Sequence, residues 1–213
     1  SIAILRYAGT NHHFSEGFVL PVEDSITSIF ETLKNAAVLH KSKQPEFGLG
    51  FSFSKLRPKG AVTADGSRAL GPVEFMLMYD QALNQINPAG SNIGFLHVNH
   101  PDILDFLTAK ERHHIKSFGV AVLLTKEFME AAAKDGFYEL LDPHTGQATT
   151  KLKARNVLTI ISTTAWRTGD PVVYYQDRLN PNEEGFAATV PTGEHPLLPE
   201  PFTALHWLLM HAK

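Results

Sequence analysis

The residues with the most scope for chemistry lie in the stretch Ala187-Ala188-Thr189-Val190-Pro191-Thr192-Gly193-Glu194-His195-Pro196-Leu197-Leu198-Pro199. Glu194 is a carboxylate and Thr192 a hydroxyl, and such a pair can act as an acid, a base or a hydrogen-bond donor. Pro191, Gly193, Pro196 and Pro199 exclude a regular helix, so both side chains sit on an irregular loop. Loops held by a rigid scaffold often carry function. The plain alternative is a surface linker.

The other reactive side chains form no recognisable centre. Of the eleven histidines, His12-His13 and His113-His114 are adjacent, His97 and His100 are three apart, and His206 and His211 are five apart. None has the two-histidine-plus-glutamate spacing of a zinc hydrolase, so solvated or hydrogen-bonded rings and no metal site are expected. No Gly-x-Ser-x-Gly elbow and no full dinucleotide fingerprint occur. Gly48-Leu49-Gly50 makes a poor phosphate cradle, because a strand pattern rather than a helix follows it.

Composition narrows the classes. The chain has 213 residues, 43% hydrophobic and 19% charged, as expected of one globular domain over 1–213. A net charge of −3 gives no electrostatic case for nucleic acid or membrane. The absence of cysteine excludes disulfides, thiolate metal sites and cysteine nucleophiles from these residues. No signal-peptide pattern opens the sequence, and its longest apolar run, Phe118 to Leu124, is too short to span a bilayer. A soluble, cytoplasmic protein is expected.

The elements that must position the loop alternate in type. Short strands are predicted at Phe18 to Leu20, Gly48 to Ser54, Ile93 to Val98, Phe118 to Leu124 and Val172 to Tyr175. A helix capped by Asp24 or Ser25 carries Ile26, Ile29, Phe30, Leu33 and Ala37 on one face. A second opens at Gly71-Pro72 with a stripe of Phe75, Met76, Tyr79, Leu83 and Ile86. Shorter helices follow Asp102 and Thr125, and another carries Val157, Leu158, Ile161 and Ala165 up to Gly169. Asp142-Pro143-His144-Thr145-Gly146 predicts the turn of a hairpin. A last helix is expected from Pro201 to Lys213. Strand–helix alternation predicts an α/β domain with a mainly parallel sheet.

Several stretches resemble class II, adenosylcobalamin-dependent ribonucleotide reductases. The Val190–Pro199 segment is similar to that family's finger loop, Asn-Pro-Cys-Gly-Glu-x-Pro-Leu-Leu-Pro. Five further matches occur in the family's order: Phe18 to Ser25, Gly50 to Gly60, Gly71 to Met76, His100 to Phe106 and Ala165 to Pro171. The resemblance implies a ten-stranded α/β barrel built from two halves. This chain corresponds to about the first half: a mainly parallel, five-stranded half-barrel with flanking helices, whose open edge should need cover.

The same resemblance sorts the functional positions. The family's radical cysteine falls at Thr192, its asparagine at Val190 and its glutamate at Glu194. Its reducing cysteine falls at Gly17, and an Arg-Arg pair between effector and substrate sites falls at Pro88-Ala89. Thr192 cannot replace a thiyl radical, since an alkoxyl radical is far harder to form. The family's nucleotide effectors imply contacts at Asp24, Ser25, Arg57 and Lys59, with Thr10 and Ser15 counted alongside. Asp24 and Ser25 are equally a helix cap. Adenosylcobalamin is the family's cofactor; the residues themselves name none. The leading expectation is a dimeric nucleotide-binding or regulatory paralogue, paired through helices near 25–41 and 72–86, that no longer reduces ribonucleotides. The alternatives are one component of a split reductase, or a structural remnant that pairs with an intact reductase chain.

Overall fold

Five parallel strands form the main sheet, side by side in the order in which they occur along the chain. The computed structural model describes residues 17–42, 48–115, 118–175, 188–189 and 196–197. The strands are β1 (Gly17–Pro21), β2 (Gly48–Ser52), β3 (Ser91–His97), β4 (Phe118–Leu124) and β7 (Val172–Tyr175). Helices α1 (Ile26–Ser42) and α2 (Pro72–Ile86) make the first two crossovers. The short α3 (Ile103–Leu107) and α4 (Ala109–His113) make the third. The fourth runs through α5 (Lys126–Ala133), the hairpin β5 (Phe137–Leu141) and β6 (Ala148–Lys153), and α6 (Ala154–Thr168). Two two-residue strands, β8 (Ala188–Thr189) and β9 (Pro196–Leu197), pair antiparallel.

The sheet is apolar on both faces, as a parallel sheet under crossover helices must be. On the helix-covered face, Leu20, Phe51, Gly94 and Val120 lie in one row across four strands. Phe51, Phe53 and Tyr79 form an aromatic cluster, with Tyr79 edge-on to Phe51 at 5.3 Å and to Phe53 at 5.6 Å. Gly94 makes room for α2: a Cβ there would lie 2.8 Å from Met76 Sδ and 3.2 Å from Phe53 Cε2. Tyr79 Oη donates to the Ile29 carbonyl at 2.5 Å, joining α2 to α1. On the opposite face, Ile93, Phe95, Ala121 and Leu123 form a second cluster with Tyr174 beside them.

The five sheet strands, the β5–β6 hairpin with its turn at 142–146, and the helices α1 and α2 fall where the sequence predicts them, whereas β8 and β9 fall in the stretch expected to be an irregular loop. Thr125 caps α5 as expected, its Oγ1 accepting from Phe128 N at 3.3 Å. Asp102 does not cap α3 with its side chain; its carboxylate accepts the Lys59 amide at 2.8 Å instead. The α1 stripe also differs. Ile29, Thr32, Ala36 and Leu39 are buried, whereas Ile26 and Phe30 are 62% and 50% exposed. Pro201 to Lys213 lies outside the described residues. Among the described residues no helix is long and apolar enough to cross a membrane.

Candidate functional site

Three of the predicted nucleotide contacts, Asp24, Ser25 and Arg57, line one cavity of about 360 Å³. It lies between the start of α1, the loop 55–71 after β2, and the first turn of α2. Its wall is largely apolar, with Ile26, Ile29, Leu56, Leu70 and Phe75 among the lining residues. An apolar cleft with a few convergent polar groups is the usual form of a small-molecule site.

Each polar residue is held by its own local structure. Ser25 caps α1, its Oγ accepting the Ser28 amide at 3.1 Å. Asp24 does not cap. Its Oδ2 accepts Arg57 Nε at 2.7 Å and its Oδ1 accepts the Arg57 amide at 3.2 Å. The sequence offers a cap and a ligand contact as rival roles for these two residues; the structure divides them, with Ser25 as cap and Asp24 as clamp. His144, on the β5–β6 turn, brings Nδ1 to 4.0 Å from Asp24 Oδ2.

The loop is pinned from below by His100 and Asp102. His100 Nε2 donates to the Leu56 carbonyl at 2.8 Å, and its Nδ1 accepts the Asp102 amide at 3.0 Å. That pattern requires the neutral ring with its proton on Nε2. Burial lowers the pKa of His100 and raises that of Asp102. Gly71, at φ 84, lets the chain turn into α2 past Asp102 and Lys59; a Cβ would sit 2.8 Å from Asp102 Oδ2.

Lys59 is not in the cavity wall. Its ammonium pairs with Glu74 at 2.9 Å on the outer surface. Thr10, Ser15, Thr192 and Glu194 lie outside the described residues. Gly17 is described: it pairs in register with Gly48 at the start of β1. The backbone of β8, just before the Thr192 loop, lies against β1 and β2. Among the described residues no cluster of His, Asp or Glu could hold a metal ion.

Of the lining residues only Asp24, Ser25 and Arg57 are assigned to a site from the sequence; Arg68, Leu70 and Phe75 are among those that are not. Phe75 was counted only in the α2 stripe. Arg68 follows Thr63-Ala64-Asp65-Gly66-Ser67, a turn signature that could have drawn attention to this stretch.

This parallel α/β sheet, with a cavity at the first helix start, defines the class, and sequence comparison gives the family. Residues 15–189 match the model of the ribonucleotide reductase barrel domain, and the chain belongs to that family. It is 39% identical to a vitamin B12-dependent ribonucleoside-diphosphate reductase of Thermoplasma acidophilum, over 92% of this chain and 27% of that protein. A Mycobacterium tuberculosis protein of the same description is 38% identical over 92% of this chain and 30% of its own length. A vitamin B12-dependent ribonucleotide reductase of Streptomyces avermitilis is 27% identical over 76% of this chain and 20% of its own. The chain thus spans less than a third of the length of these relatives.

Proposed function

We propose that this chain is a ribonucleotide-reductase-family protein that binds a nucleotide but does not itself reduce ribonucleotides. The observation that carries the nucleotide reading is the convergence of Asp24, Ser25 and Arg57 on one apolar-walled cavity. Phe75 and the aliphatic wall suit a base, and the basic residues of the 55–71 loop suit a phosphate. Gly17 and Thr192 stand at the positions of the family's reducing and radical cysteines, and no cysteine occurs among the 213 residues. This residue set offers no thiol on which the vitamin B12 cofactor of the relatives could place a radical. The five parallel strands in sequential order support reading the sheet as one half of a barrel.

The same reading makes the protein a dimer with a binding or regulatory role. Ile26 and Phe30, exposed one helical turn apart on α1, support a helical interface beside the cavity. Titration calorimetry with the four deoxynucleoside triphosphates tests the ligand. Saturable binding that weakens in Arg57→Gln supports it; ribonucleotide reduction by the purified chain overturns it. Sedimentation of wild type against Phe30→Glu tests the dimer. A chain that binds no nucleotide but forms a stable complex with an intact reductase would be a structural partner. Reduction appearing only when a second chain is added would make it a component of a split enzyme.

A further inference from the structure

The cavity holds a cation that neither the family resemblance nor the sequence pattern singles out. Arg68 lines it, is exposed, and donates from Nη1 to the Gly60 carbonyl at 3.1 Å. A carbonyl orients a guanidinium without neutralising it, and no carboxylate among the described residues pairs with Arg68. The other basic residues of the loop are engaged: Lys55 with Glu23 at 2.7 Å, Arg57 with Asp24 at 2.7 Å, and Lys59 with Glu74 at 2.9 Å.

The backbone around Arg68 is built rather than loose. Residues 60–69 fold back on themselves, with Gly60 N donating to Ala69 O at 2.8 Å, Ala69 N to Ala61 O at 2.8 Å, and an antiparallel bridge between Val62 and Arg68. Asp65 closes the turn. Its Oδ1 accepts from Thr63 Oγ1, from Ser67 Oγ at 2.8 Å and from the Ser67 amide at 3.1 Å. These donors hold the Asp65 carboxyl down to about 2, so it stays ionised. Asp65 lines the cavity too, but its Oδ1 is taken up by Thr63 and Ser67 within the turn.

We infer that Arg68 is the phosphate-binding cation of this cavity, and that Lys59 is not. The inference rests on the nucleotide reading above and names the residue that selects a polyphosphate ligand over a nucleoside. Arg57 is held against Asp24 and shapes the wall; Arg68 brings uncompensated charge and several N–H donors to the rim.

The test is calorimetry on the whole chain with deoxyadenosine triphosphate, tripolyphosphate and deoxyadenosine, at two salt concentrations. Arg68→Gln is expected to weaken both polyphosphates by roughly tenfold or more and to flatten their salt dependence. Deoxyadenosine affinity should not change, and Arg68→Lys should recover part of the loss. Lys59→Gln should stay within about twofold of wild type. Thermal melts of each variant check the fold. Undiminished triphosphate binding by Arg68→Gln, with loss in Arg57→Gln, overturns the role of Arg68 and leaves the nucleotide reading standing. Equal losses in Lys59→Gln and Arg68→Gln also overturn it. Tripolyphosphate binding through Arg68 without any nucleotide preference keeps the inference and removes the nucleotide. No binding of any probe by the wild type overturns both.

Discussion

Asp24 grips Arg57 with both carboxylate oxygens, one on the side-chain Nε at 2.7 Å and the other on the backbone amide at 3.2 Å. The start of α1 and the loop after β2 are thereby fixed to each other across 33 positions of sequence. The two side chains are 19% and 22% exposed, between a surface pair and a fully buried one. A double-mutant cycle of Asp24→Asn and Arg57→Gln in urea should therefore return a coupling of about 1–2 kcal/mol. Additive effects would mean that the loop keeps its place without the clamp.

Tyr79→Phe keeps the ring between Phe51 and Phe53 but removes the hydroxyl bonded to Ile29 O. Losing that buried contact between α1 and α2 should cost about 1–2 kcal/mol in thermal or denaturant unfolding. An unchanged midpoint would show that the two helices are joined by apolar packing alone.

Gly94→Ala should destabilise the chain by about 1–3 kcal/mol, because the new methyl meets Met76 Sδ and the Phe53 ring. Shortening Met76 to Ala in the same chain should make the combined loss smaller than the sum of the two. A strictly additive pair would place the conflict elsewhere, against Phe53.

Stability should fall as the solution is acidified from neutrality. Burial, with a smaller effect of neighbouring His100, lowers His97 from its ordinary 6.5 to about 4; burial also lowers His100 and His40. The unfolded chain therefore binds more protons than the folded one between those values. The stabilisation is complete above 6.5 and is lost progressively as the pH drops toward 4. Asp102 acts in the opposite sense, since burial raises its pKa from 3.8. Unfolding midpoints measured from pH 7 to 4.5 should decline, and His97→Gln should flatten the decline. A wild-type midpoint constant over that range would contradict the assignment.

Much of the sheet was legible because its strands obey simple alternation or continuous apolar runs. Leu49, Phe51 and Phe53 alternate with small residues, and all three are fully buried. Phe118 to Leu124 reads as a strand covered on both faces and is one. The facing of α1 was not legible. Its apolar residues fall into two adjacent stripes, and periodicity cannot tell which one the sheet covers. That Asp24, Ser25 and Arg57 come together at one cavity was suggested only by the family resemblance, since a cap and a basic loop are common features. Arg68 was hidden for a physical reason: its position depends on backbone pairing between Val62 and Arg68 inside a stretch with no apolar period.

The strand order has a consequence for how the chain can be made. Each of β2, β3, β4 and β7 pairs with a neighbour already synthesised, and none must slip between two earlier strands. A chain emerging from the ribosome can therefore extend the sheet one strand at a time, with each crossover closing over what precedes it. Throughout that growth the newest strand presents an unpaired edge, which among the described residues ends on β7.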